Sequence, residues 1–124
     1  MVWKGVIIEE SLDDKSLLDL VKIVKTRRTT LEEEKQRGSF TFHCIELDDE
    51  KKEVFIKKAH SSIKNNFYLH ICKEGKMIVI YKNKQFEFSC ENLDKLNEAR
   101  NYGLSVGILR EQMPFEKLIK KPYD

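Results

Sequence analysis

Two residues whose side chains could carry out chemistry stand two positions apart in the stretch FYLHICKEGKMIVIYKNKQFEF, residues 67–88. His70 could act as a general base and Cys72 as a nucleophile or a redox-sensing thiol. In an extended strand, residues i and i+2 project from the same face, with their Cβ atoms about 6.5–7 Å apart. Because that separation is long for a nucleophile bonded to its base, a packed sheet face is favoured over a catalytic centre or a thiol-based sensor.

Metal and cofactor sites need further residues at characteristic spacings. The other soft ligands are His43, Cys44, His60 and Cys90, and they show neither CxxC nor HExxH spacing. His43 and Cys44 are adjacent on a predicted strand and therefore point to opposite faces. The sequence also contains no phosphate-binding or dinucleotide-binding glycine pattern and no GxSxG motif. We therefore expect neither a metal ion nor a cofactor.

A cluster of cations is the main candidate for anion binding. Lys25, Arg27 and Arg28, preceded by Lys22, are expected at the end of a first helix and in the loop that follows it. Arginine can donate two parallel hydrogen bonds to a phosphate or carboxylate. Cations at a helix C-terminus also complement the helix dipole without any ligand, and the glutamates at 32–34 compete for them. Both interpretations stay open.

Composition limits the classes of partner. The chain has 124 residues and is 40% hydrophobic and 35% charged, which indicates a single globular domain. Its net charge of +2 provides no global field that would favour nucleic acid or an anionic membrane. Three cysteines, an odd number, and an N-terminus unlike a signal peptide indicate a reducing, cytoplasmic setting. No apolar run approaches the roughly 20 residues that span a bilayer, so we expect no membrane partner.

The chain's periodicity predicts the order β-α-β-α-β-β-β-α. This order describes an α+β fold with about three helices on a mainly antiparallel sheet that ends in a β-meander. Predicted strands cover 2–9, where Gly5 marks a bulge or a close backbone approach, and 39–47. Leucine and valine recur at helical spacing through 11–26, and a polar loop is expected at 26–38. The first expected helix is 11–26, capped by Asp13 or Asp14, and the second is 50–65, capped by Asp48 or Asp49. The third runs from Ser89 to Gly103 and has Cys90 in its first turn. A short helix is expected from Pro114.

The β-meander has a predicted register. A two-residue turn, Glu74-Gly75, pairs Ile71 with Ile78 and Leu69 with Ile80 on one face of the sheet. The next turn leaves two alternatives. A three-residue loop, 82–84, would place the phenylalanines at 86 and 88 on that same face, whereas a two-residue loop would place them on the opposite face. The opposite face carries the cross-strand pairs Cys72 with Met77, His70 with Val79 and Tyr68 with Tyr81.

That second face is too apolar to lie bare in water. We expect Tyr68, His70, Met77, Val79 and Tyr81 to meet a second copy of the chain, most simply in a twofold dimer, or else the remaining helix. The two tyrosines could instead stack unpaired bases, but the aromatic signature of RNA-recognition sheets is absent and a nucleic-acid partner is not expected.

Taken alone, the sequence indicates a small noncatalytic binding or interaction module that acts as a homo-oligomer. Two alternatives stay open. One is an enzyme or thiol-based sensor that uses His70 and Cys72. The other is a protein that binds an anion or a nucleic acid through Arg27 and Arg28.

Overall fold

The computed structural model describes residues 2–30 and 39–123, which form one six-stranded sheet with helices against both faces. The strand order is β2-β3-β1-β4-β5-β6, and every neighbouring pair is antiparallel. The predicted α+β fold and β-meander are confirmed. The strands are β1 (Val2–Ile8), β2 (Lys22–Thr30), β3 (Ser39–Asp48), β4 (Leu69–Lys73), β5 (Lys76–Tyr81) and β6 (Lys84–Ser89). The helices are α1 (Lys52–Ser62), α2 (Leu93–Ser105) and α3 (Phe115–Leu118), with 3₁₀ helices at Glu9–Ser11, Lys15–Leu20, Asp49–Lys51 and Arg110–Gln112.

Strand β1 lies in the middle of the sheet, between β3 and β4. Gly5 pairs with Ile45 on one side and with Ile71 on the other. A Cβ atom at Gly5 would overlap the backbone carbonyl of His70, so only glycine allows the two strands to approach this closely. The predicted close backbone approach is confirmed.

The β-meander has the register that the glycine turn predicts. Ile71 pairs with Ile78, Leu69 pairs with Ile80, and Glu74 and Gly75 form the turn with positive φ angles of 52° and 79°. The second turn has two residues, because Tyr81 pairs with Lys84 and Asn83 takes a φ of 61°. Phe86 and Phe88 therefore lie opposite Val79 and Met77, on the face that also carries Tyr81.

Each face of the sheet has its own apolar core. On the first face, helix α1 and the 3₁₀ helix Lys15–Leu20 supply Phe55, Ala59 and Leu17, all fully buried against the isoleucines of the central strands. On the second face, α2 and the segment after it supply Leu96, Ala99, Met113, Phe115 and Leu118 against β5 and β6. Among the helices in the described residues, none has the length and apolar character needed to cross a membrane.

The first predicted helix is wrong over most of its length. Residues 15–20 form a 3₁₀ helix capped by the Asp14 side chain, and residues 22–30 form strand β2. Pairing with β3 overrides the helical spacing of the leucines, since the β-branched residues Ile23 and Val24 suit a strand. The predicted loop at 26–38 is accordingly a strand up to Thr30, and the glutamates at 32–34 lie outside the described residues.

Three predicted helix ends also differ. The Asp48 side chain caps nothing, and the Asp49 carboxylate accepts hydrogen bonds from Trp3 Nε1 at 2.7 Å and Lys73 Nζ at 2.9 Å instead. Helix α2 begins at Leu93 with Asn92 as its cap, not at Ser89. It continues through Gly103, and the positive-φ glycine after its end is Gly107, at 92°.

Candidate functional site

His70 and Cys72 lie on one face of β4, as predicted, and both are buried. The chain's C-terminal segment covers them. His70 Nε2 is 2.8 Å from the carbonyl oxygen of Pro122, and Cys72 Sγ donates to the carbonyl of Leu118 at 3.5 Å. Burial lowers the pKa of His70 to about 4 and raises the pKa of the Cys72 thiol to about 12. Both side chains are therefore neutral near pH 7, so Cys72 is a poor nucleophile there.

The apolar face predicted to meet a partner is covered by the chain itself. Met77, Val79 and Tyr81 are fully or almost fully buried beneath α2 and the segment that follows it. The Tyr81 hydroxyl donates to the carbonyl of Ala99 at 2.7 Å, and the Tyr68 hydroxyl donates to the carbonyl of Gln112. Of the two covers considered from the sequence, a second copy or the remaining helix, the helix and its C-terminal extension occupy this face.

Cys90 does not lie in the first turn of a helix. It precedes α2, it is exposed, and its backbone N–H donates to the carbonyl of Gly75 at 2.9 Å. Cys90 therefore lies before the N-terminus of α2, and the predicted activation of its thiol by that helix end does not apply.

The predicted anion-binding residues lie on the edge strand β2, not in a loop. Lys25 and Arg27 pair with Cys44 and Phe42, so they project from the face that carries those residues. Arg27 places its guanidinium 5.3 Å from the centre of the Phe42 ring. Arg28 projects from the opposite face. The structure therefore separates Arg27 from Arg28 and keeps Lys25 beside Arg27.

Arg28 already has partners on its own face. Its Nη1 donates to Thr41 Oγ1 at 2.9 Å and lies 3.7 Å from Glu10 Oε2. Glu10 also accepts from the Thr41 hydroxyl at 2.8 Å and from the Thr41 N–H at 2.6 Å. Burial would raise the pKa of Glu10, but its hydrogen bonds from Thr41 and the nearby Arg28 outweigh this effect and lower it. Thr41 thus holds Glu10 against β3, and the more exposed Arg28 lies beside this carboxylate.

A second set of polar side chains lies next to Arg28 and joins three parts of the chain. His43 Nδ1 is 2.8 Å from Thr26 Oγ1 on β2, and His43 Nε2 is 2.9 Å from Glu9 Oε1. An ionised carboxylate only accepts, so Nε2 carries a proton and donates to Glu9. A ring that carries its single proton at Nε2 accepts from the Thr26 hydroxyl at Nδ1. This order of hydroxyl, imidazole and carboxylate is the order used to activate a hydroxyl nucleophile.

The same geometry also serves to hold β2 in place, because every polar atom of the buried His43 ring has a partner. Sequence reasoning missed this set. The alternation FTFHC in β3 placed His43 opposite its neighbour Cys44, but nothing in the sequence indicated that Glu9 and Glu10 turn back over β3.

A groove of about 360 Å³ lies away from the His43 set, where the C-terminal segment meets β1 and the first hairpin. The residues that line it are Val2, Lys4, Cys72, Lys73, Glu74, Gly75, Ile119, Lys120 and Pro122. Neither Thr26 nor His43 contributes to this groove. Cys72 is the only residue it shares with the predicted catalytic pair, and its thiol is bonded to Leu118.

In the described part of the chain, no group of three or more histidine, cysteine, aspartate or glutamate side chains is arranged to hold a metal ion. No protein-family model matches the chain, and searches of the curated proteins and of the solved structures find no match.

Proposed function

We propose that this protein is a noncatalytic interaction module and that strand β2 is its binding element. The observation that carries the proposal is the position of β2 at the edge of the sheet, where only β3 pairs with it among the described residues. An unpaired strand edge presents backbone N–H and C=O groups to which a partner segment can add. Ile23 and Val24 on this strand are 42% and 43% exposed, so apolar side chains are also available to a partner.

Burial of His70 and Cys72 supports a noncatalytic role. A general base must reach the proton that it abstracts, and a nucleophile must reach its substrate. His70 and Cys72 instead bond to backbone carbonyls of the C-terminal segment. Their hydrogen bonds hold that segment on the sheet.

The predicted homo-oligomer stays a prediction. The prediction rested on an uncovered apolar face of the sheet. Because α2 covers that face, this argument for an oligomer no longer applies. Antiparallel pairing of two β2 strands would bring lysines and arginines together, which opposes a dimer through this edge. Light scattering of the purified protein measures the mass directly. We also propose a cytoplasmic location, because three free thiols suit a reducing compartment.

The proposed binding element is tested first by selecting extended peptides from a displayed library for binding to the protein. Enriched peptides are then titrated into the ¹⁵N-labelled protein while its backbone amide chemical shifts are recorded. We expect the largest shifts in β2 and its neighbour β3, because a segment added to the edge changes the hydrogen bonding of the outward amides. Shifts confined to α2 or to the groove beside Cys72, or a library without any enriched peptide, would overturn the proposal.

A further inference from the structure

Strand β2 differs from the rest of the chain in the sign of its charges. We infer that its partner is an extended acidic segment that adds to the edge of β2 with carboxylates at alternate positions. This inference rests on the proposed function, because it names the partner of the same edge. Every formally charged residue in β2 is a cation, whereas the whole chain is nearly balanced at +2. The cations are Lys22, Lys25, Arg27 and Arg28.

The spacing of the cations sets the spacing of the partner's carboxylates. Lys25 and Arg27 are two residues apart and project from one face of β2. In an added strand, alternate side chains project from that same face, so two carboxylates separated by one residue would lie beside these cations. Arg28 projects from the other face and contacts Glu10 and Thr41. Lys25 and Arg27 are therefore the selective pair, the two cations that would select the partner's carboxylates.

An irregularity in β2 limits where the segment can pair. The β2–β3 register shifts between Ile23 and Lys25, which makes Val24 the extra residue of a bulge. From Lys25 to Thr30 the pairing is continuous. The regular edge therefore begins at the first of the two selective cations.

Side-chain contacts also tie the edge strand to the rest of the sheet. Thr26 lies between Lys25 and Arg27 and is bonded to His43, which is bonded in turn to Glu9. The Arg27 guanidinium packs over Phe42. A preformed strand loses little conformational entropy on binding, so charge complementarity can act directly on affinity.

Single-stranded nucleic acid is the other polyanion that a basic strand could attract. It normally binds through exposed aromatic rings on which the bases stack. On this side of the sheet Phe40 and Phe42 are buried, and Tyr81 lies beneath α2. The observations therefore favour an acidic polypeptide.

The test measures binding of synthetic peptides by fluorescence anisotropy at two salt concentrations. One peptide carries glutamate at alternate positions among β-branched residues, and a second has the same composition with its glutamates clustered. A third repeats the first with N-methyl groups on consecutive central residues, which removes backbone donors from both edges of the peptide without changing the charge. We expect the first peptide to bind most tightly, the third to lose binding, and salt to weaken the first.

Charge reversal of the protein provides the matched comparison. Lys25→Glu combined with Arg27→Glu should weaken the first peptide by at least about tenfold. Lys57→Glu combined with Lys64→Glu changes the net charge equally at exposed positions on α1 and just after it, and should leave affinity within about twofold. Circular dichroism confirms that each double variant is folded.

The outcomes separate this inference from the function on which it rests. If the peptide library yields neutral segments that shift β2 amides, the interaction module stands and the acidic partner is wrong. If the N-methylated peptide binds as well as its parent, or if an oligothymidylate binds more tightly than the acidic peptide, strand addition by an acidic segment is wrong. Acidic peptides that bind but shift residues away from β2 would overturn both.

Discussion

His70 Nε2 lies 2.8 Å from the carbonyl oxygen of Pro122, a bond that joins the middle of the sheet to the end of the chain. A carbonyl oxygen only accepts, so Nε2 is the donor. Tyr123 extends the attachment, since its hydroxyl donates to the carbonyl of Ile45 at 3.0 Å. The C-terminal segment therefore crosses from β4 to β3 and closes the second face of the sheet.

The buried imidazole predicts a loss of stability in mild acid. Burial lowers the pKa of His70 from its ordinary 6.5 to about 4. Between these values the unfolded chain binds a proton that the folded chain excludes, so the free energy of unfolding falls as the pH falls. The loss attributable to His70 should reach about 3 kcal/mol near pH 4. About 2 kcal/mol of this loss should appear between pH 7 and pH 5, and urea unfolding at these two pH values measures it.

His70→Gln is the matched variant, because its side-chain N–H can still donate to the Pro122 carbonyl. It should be less stable than the wild type at pH 7 and should show a smaller loss between pH 7 and pH 5. Equal losses in the two proteins would mean that His70 does not titrate in this way.

Gly5→Ala should abolish or severely destabilise the fold. The new methyl group would overlap the backbone carbonyl of His70, and β1 cannot move away because it is paired on both sides. We expect a loss of more than about 3 kcal/mol by chemical denaturation. Gly103→Ala is the comparison. Its methyl group would meet side chains, Met113 and the Tyr81 hydroxyl, and no backbone of a paired strand, so it should cost less than Gly5→Ala. A Gly5→Ala protein with wild-type stability would show that the two strands are not this close.

Arg100 should contribute more to the free energy of unfolding than a single surface charge does. Its buried guanidinium donates to the Met113 carbonyl from Nε at 3.3 Å and Nη2 at 3.2 Å, and also bonds Glu116. The hydrogen bond from Arg100 to Glu116 is the main cause of the lowered pKa of the Glu116 carboxyl group. Arg100→Lys removes the planar fork and should cost about 1–3 kcal/mol in thermal or urea unfolding. Glu116→Gln, at the exposed end, should cost less than about 1 kcal/mol. The reverse ranking would contradict the arrangement.

The three thiols should differ in reactivity. Cys44 and Cys72 are buried and Cys90 is exposed. A maleimide added to the native protein at pH 7.5 should modify Cys90 first, and the other two should react only when the protein is unfolded. Mass spectrometry after brief labelling measures this order, and Cys90→Ser should remove the fast phase. Rapid native labelling of Cys72 would contradict its coverage by the C-terminal segment.

Local turn chemistry explains why the β-meander was predictable. Glycine at 75 takes the positive φ that a two-residue hairpin needs, and this turn fixes every cross-strand pair from Leu69 to Lys73. The same reasoning left the turn at 82–84 open. Asn83 adopts a positive φ, but lysine on either side of it gave no signal about loop length.

Long-range pairing explains what the sequence did not reveal. Leu17, Leu20, Val21 and Val24 have helical spacing, yet the bulge at Val24 hides the alternation of β2, and β3 supplies its hydrogen bonds. Lys25, Arg27 and Arg28 were selected by charge and assigned to a helix end and a loop, whereas they lie on strand β2. The bonds of His43 to Thr26 and Glu9 span 17 and 34 positions, and no local pattern encodes them.

The central position of β1 has a consequence for synthesis on the ribosome. Strand β1 precedes both of its partners, β3 and β4, along the chain, so residues up to Lys73 must be available before both of its edges are filled. Until then at least one edge of β1 is unpaired. Completion of the sheet depends on inserting an early segment between later ones, so refolding should be slower than in helical bundles of similar length.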